Sequence, residues 1–268
     1  MTHLPLSDLT KANTAFAAVI SGAEGAEALL QAAAALLPIT AGFAVVNLRN
    51  APPVYLADSY ATPMAKSAVQ RYVSGTYLLN PVSNAIRQGL TAGVYRMADL
   101  APDHWGVSDG EIGVTTELSE EIGYLTPGWP RGQAEISVLT QLPNGAMAEL
   151  SLARPSAEGG FSDAMIDILA SLKPLIDAAQ SVIWAGQSTP ARHTNLHSLE
   201  DFGRDRLSPR EAEILQMVLK GHSNLSISLS LGITVSTVKT HRKNAYAKLG
   251  ISTQQELFYC FLTWTETV

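Results

Sequence analysis

Ser236, Lys239, Thr240, Lys243 and Asn244 fall three and four residues apart, with Arg242 among them and Arg210 and Lys248 to either side. On a helix those spacings put side chains on one face. The set offers hydroxyls, an amide and cations, with the small Ala247 beside them. That chemistry suits a polyanion with readable edges. Lys can donate to guanine O6 and N7, Thr and Asn can meet either donor or acceptor patterns, and a methyl can approach the thymine methyl. Arg210, Arg242 and Lys248 are assigned to phosphates, which fix register and supply salt-dependent affinity. For any single lysine a solvated helix face is the plain alternative. The capping residues around the helix argue for the set as a whole.

Those caps define the elements that must hold the face. Ser208 is placed to cap a helix with Pro209 at its first position and Glu211 completing a capping box. Gly221 closes that helix, Ser223 starts a second, Gly232 ends it, and Thr234 caps a third that runs to Leu249. On the third helix Val235, Val238, Ala245 and Leu249 lie opposite the polar set, which gives it a buried side. Residues 207–211, 221–224, 231–233, 237–241 and 248–251 together resemble the LuxR-type helix-turn-helix of bacterial transcription regulators. The resemblance covers about 60 residues. It implies a four-helix, all-α unit, base contacts from Lys239, Thr240 and Lys243, and a fourth helix over residues 253–262 that serves dimerisation. Leu225, Ser226 and Ser228 depart from the family's Lys, Glu and Ala, and the lost Glu weakens the capping box of the second helix.

Charge divides along the same line. Residues 204–268 carry eight Lys/Arg and five Asp/Glu, 8 − 5 = +3, whereas residues 1–203 carry 10 − 19 = −9. A mildly basic tail on an acidic body points to the tail as the part that meets a polyanion. The single Cys260 excludes an intrachain disulfide and a cysteine metal site, which suits a cytoplasmic protein. No stretch reaches the roughly 18 apolar residues of a membrane span. No Gly-rich phosphate loop, His-x-x-x-His pair or Gly-x-Ser-x-Gly elbow is present, so neither catalysis nor a bound metal or cofactor is expected.

The body reads as α+β. Two helices fill residues 7–37, strands follow at 40–48 and 54–58 with Pro52 and Pro53 as their turn, and helices cover 63–74 and 82–88. A short strand follows at 93–96. Residues 101–132 read as loop with helical turns near 116–121. Asn144-Gly145 predicts a hairpin between strands 135–142 and 146–152, and Ser162 caps a long helix that Pro174 interrupts. The expected architecture is an antiparallel sheet flanked by helices, GAF/PAS-like, over residues 1–185, with a polar linker at 186–206 and the helix-turn-helix at 207–268.

Tyr72, Tyr77 and Asn80-Pro-Val82 resemble the Tyr, Tyr and Asp-Pro-Val pattern of autoinducer-binding domains, and more closely the GAF-like sensors of LuxR-type regulators. The resemblance implies a ligand sensor. Tyr72, Tyr77 and Asn80 are its first candidate ligand contacts, with Tyr55, Trp105 and Glu135 behind them, because a small-molecule pocket needs aromatic walls and a few oriented polar groups. Asn80 stands where that family has Asp, which weighs against an acyl-homoserine lactone. The expected partners are double-stranded DNA with a two-fold site, a small-molecule effector and a second copy of the chain. The alternative is control by a partner protein docked on the acidic body.

Overall fold

The computed structural model describes residues 5–49, 51–102, 132–187 and 198–266. Trp105 and the helical turns expected near 116–121 lie outside them. The chain opens with two antiparallel helices, α1 (Leu6–Ile20) and α2 (Ala26–Leu36), whose Phe16, Val19, Leu29 and Leu30 are buried. A five-stranded antiparallel sheet follows, in the order β2-β1-β5-β4-β3, from β1 (Ala41–Leu48), β2 (Ala51–Asp58), β3 (Gly93–Arg96), β4 (Gln133–Gln141) and β5 (Met147–Pro155). Between β2 and β3 the chain forms α3 (Pro63–Ser74), a 3₁₀ turn (Thr76–Leu78) and α4 (Pro81–Arg87). The short α5 (Met97–Leu100) follows β3.

Alternation gives the sheet two different faces. Ala44, Ile136, Val138, Leu150 and Leu152 point towards α1, α2 and the 23-residue α6 (Asp163–Ala185), forming one apolar core. Phe43 and Val45 point the other way, into a second core with Tyr60, Val69, Tyr72, Tyr77 and Leu78. The β4–β5 hairpin turns through Asn144 at φ 61° and Gly145 at φ 76°, a conformation for which Asn and Gly are suited. Pro52 and Pro53 lie inside β2 and do not make its turn. β2 is an edge strand, where a missing backbone donor leaves no ladder bond broken on the open side.

The carboxy-terminal part is all helical: α7 (Pro209–Leu219), α8 (Asn224–Leu231), α9 (Val235–Leu249) and α10 (Gln254–Glu266). The segment expected to be linker up to residue 206 differs from that reading at its end. A 3₁₀ turn (Leu199–Asp201) places Leu199 and Phe202 in the core with Leu215, Leu219 and Phe261, and Phe202 meets the Phe261 and Trp264 rings edge-on. Two apolar residues without periodicity carried too little signal to read as core. The same cluster joins the helical domain to Tyr72, Tyr77 and Leu78 of the first domain.

Candidate nucleic-acid interface and effector site

The four expected caps form. Ser208 Oγ accepts from the Glu211 amide while Glu211 accepts from the Ser208 amide at 2.8 Å, a closed capping box. Ser223 and Thr234 cap α8 and α9 through Ser226 and Thr237 at 3.1 Å each. Gly232 ends α8 and Gly250 ends α9, both left-handed. Ser226, where the related pattern has Glu, pairs instead with His222 Nδ1 at 2.9 Å.

Within this frame α9 is two-sided. Val238 and Ala245 are fully buried, while Ser236, Lys239, Thr240, Lys243, Asn244 and Ala247 are exposed along its other face. Thr240 returns its hydroxyl hydrogen to the Ser236 carbonyl at 2.9 Å, which leaves its oxygen and methyl outward. Small and cationic groups on a rigid, capped helix can enter a major groove about 12 Å wide.

The three residues assigned to phosphates are placed differently. Arg242 is buried at 6% exposure, donating to Asn224 Oδ1 at 2.8 Å and to the Tyr246 hydroxyl at 3.3 Å, with its guanidinium over the Tyr246 ring. It fastens the start of α8 to α9 and is not a phosphate contact. Arg210 donates to Glu213 at 2.7 Å and to the Leu231 carbonyl at 3.1 Å, tying α7 to the end of α8. Lys248 donates to Glu211 at 2.6 Å. That bond, followed by the Ser208 amide, lowers the Glu211 carboxyl from 4.5 to about 2. Helical position alone could not reveal Asn224, the Leu231 carbonyl or Glu211 as partners, because each lies on a different helix from the residue it holds.

In the amino-terminal domain the second face of the sheet carries a polar row. Phe43, Ser151, Ser137 and Tyr95 are in register across β1, β5, β4 and β3. Glu149 is fully buried, accepting from Asn47 Nδ2 at 2.8 Å and from Ser137 Oγ at 2.9 Å, and Glu135 accepts from Ser151 Oγ at 3.3 Å. Burial and then the charge of Glu149 raise Glu135 from 4.5 to about 8, and burial raises Glu149 as well. Glu135 is therefore largely protonated at neutral pH and can donate as well as accept. Tyr60, buried near Glu135 and Asp58, has its hydroxyl pushed up chiefly by burial. Tyr72 meets Phe43 edge-on at 5.3 Å, and Arg87 sits 5.1 Å from the Tyr77 ring centre.

Of the candidate ligand contacts, Tyr72 and Tyr77 share one cluster with Phe43 and Tyr60, and Glu135 lies on the same sheet face. Asn80 is buried and also caps α4, its Oδ1 accepting from the Ser83 amide at 3.1 Å. Tyr55 pairs with Val45 at the sheet edge, 39% exposed, and donates to Asp58 at 2.7 Å. It stands at the rim of the face. Asn47, Ser137, Glu149 and Ser151 were missed, although Glu-x-Ser at 135–137 and again at 149–151 shows the period of two that would have paired them.

A capped helix-turn-helix with a basic, exposed third helix defines the class, a DNA-binding transcription regulator. Residues 205–261 match the family described as bacterial regulatory proteins, luxR family, so the carboxy-terminal domain is a LuxR-type helix-turn-helix. A protein of Aeromonas salmonicida described as an HTH-type transcriptional regulator is 29% identical over 195 residues, 68% of this chain and 93% of its own length. The transcriptional regulatory protein MctR of Rhizobium johnstonii is 53% identical over 51 residues, 19% of this chain and 24% of its own length. Among solved structures, the VqsR LBD domain of Pseudomonas aeruginosa is 17% identical with a TM-score of 0.45, covering 68% of this chain and 97% of its own. Among the described residues no helix is long and apolar enough to cross a membrane.

Proposed function

We propose that the protein is a homodimeric, cytoplasmic transcription regulator in which a small molecule on the second face of the sheet controls how two helix-turn-helix units engage a two-fold DNA site. The observation that carries the DNA half is the exposure of Ser236, Lys239, Thr240, Lys243 and Asn244 on one face of α9 while Val238, Arg242 and Ala245 lock the other. Lys239, Thr240 and Lys243 read base edges, and Ser236 and Asn244 flank them. The effector half is supported by aromatic Tyr72 and Tyr77 beside Glu135, Glu149 and two serines, a few polar groups fixed by neighbours within apolar walls. An acyl-homoserine lactone is the narrower alternative. It is disfavoured because Asn80, a neutral amide whose Oδ1 already caps α4, stands where autoinducer-binding domains have Asp. Lys239→Ala with Lys243→Ala should abolish sequence-specific retention of promoter fragments while leaving the fold intact by circular dichroism. Specific binding that survived the pair would refute the reading face. A thermal-shift screen of metabolites tests the effector, since a ligand that binds only the folded state raises its stability.

A further inference from the structure

Gly75 ends α3 at φ −174°, extended backbone that any residue adopts, so conformation does not account for glycine there. Space does. A Cβ built on Gly75 would lie 2.5 Å from Thr265 Cβ, 2.6 Å from its Cγ2 and 2.7 Å from its Oγ1. Thr265 belongs to α10, the last helix of the DNA-reading domain, and is buried. The turn after α3 is therefore pressed against the end of α10, backbone to side chain. The next residue, Thr76, is fully buried, and its hydroxyl has no hydrogen-bond partner among the described residues. Burying a hydroxyl without a partner is costly, so the turn that meets α10 carries a penalty of its own.

The same turn is bracketed by the two tyrosines of the proposed effector face. Tyr72, three residues before Gly75, packs on Phe43 of the sheet, and Tyr77, two residues after it, is buried beneath Arg87. One short segment thus touches both the sheet face and the reader. We propose that Gly75 and Thr265 form a latch: the sensor turn seats the end of α10 and keeps the reader docked on the acidic body, and a shift at Tyr72 or Tyr77 unseats it. Docked, the +3 reader stays beside a body of net −9 that repels DNA, and it cannot reorient to the half-site spacing of about 34 Å that a two-fold site demands. The trigger rests on the effector reading above. The latch itself rests only on the contact.

The test uses the full chain without added ligand. Gly75→Ala, and from the reader side Thr265→Leu, should each enlarge the radius of gyration in small-angle X-ray scattering. Each should also tighten binding to genomic fragments enriched by the wild-type chain by about tenfold, the scale of one interdomain contact in a coupling equilibrium. Gly75→Ala with Thr265→Gly, which removes the opposing Cβ, should return both quantities to wild type. Should Gly75→Ala not fold, Thr265→Leu decides alone. Unchanged compactness in the wedge variants, or a double variant that does not revert, overturns the latch. If the wedge variants open the molecule while no metabolite shifts the wild-type melting point, the latch stands and the effector reading falls.

Discussion

Arg242 shows how one residue of a basic helix can belong to the core. Its guanidinium is held by Asn224 and Tyr246, so the helix-turn-helix depends on it for geometry more than for charge. Arg242→Ala should lower the stability of the reader in urea by about 2–3 kcal/mol, the range for a buried hydrogen bond to a charged group plus lost packing. Arg242→Lys, if folded, should leave the salt dependence of DNA binding unchanged. Two carboxyls give opposite pH responses. Glu211, lowered to about 2, contributes stability that is complete above its unfolded value of 4.5 and is lost as pH falls from there towards 2. Glu135, raised to about 8, contributes stability that is complete below 4.5 and is lost as pH rises through 8. Melting curves should therefore show the amino-terminal domain gaining stability from pH 8 to pH 5 and the reader losing it below pH 4.5. Glu135→Gln should flatten the first slope and Glu211→Gln the second.

At the scale of elements, Gly232 and Gly75 end helices for different reasons. A Cβ on Gly232 meets nothing within 4 Å, so only its φ of +63° selects glycine. Gly232→Ala should cost about 1 kcal/mol in chemical denaturation, and Gly232→Asn less, since Asn tolerates that region. A cost several-fold larger would mean that the turn makes contacts this structure lacks. Features of this local kind were legible in the sequence: Ser208, Ser223, Thr234 and Gly232 each signal a boundary through their own hydrogen bonds or backbone, and α3 spans residues 63–74 as expected. What the sequence left unread depends on distant partners. Glu135 and Glu149 alternate as residues of a solvated strand face do, and only the packing of α3 and its turn over that face makes it an interior. Pro52 and Pro53 looked like a turn because nothing local says that β2 is an edge.

Across the whole molecule the seam between domains was the least legible part, because Gly75 and Thr265 lie far apart in the chain and neither residue type announces a contact. Charge, by contrast, could be read directly and sets the last expectation. With Arg242 buried and Arg210 and the exposed Lys248 ion-paired to Glu213 and Glu211, Lys239 and Lys243 are the exposed α9 lysines that hold no ion pair among the described residues. If two readers bind one two-fold site, these four lysines, which pass between phosphates as they reach the base edges, also displace counterions, and the slope of log K against log salt is about −0.9 for each phosphate neutralised. A dimer on an intact site should therefore show a slope of about −3.6 or steeper. Deleting one half-site should halve it, because one reader then loses its grip. Lys243→Ala should make it shallower by about 2 on the intact site, one step per protomer. A slope unaffected by removal of a half-site would mean that a single reader carries the affinity and that the second copy is not part of recognition.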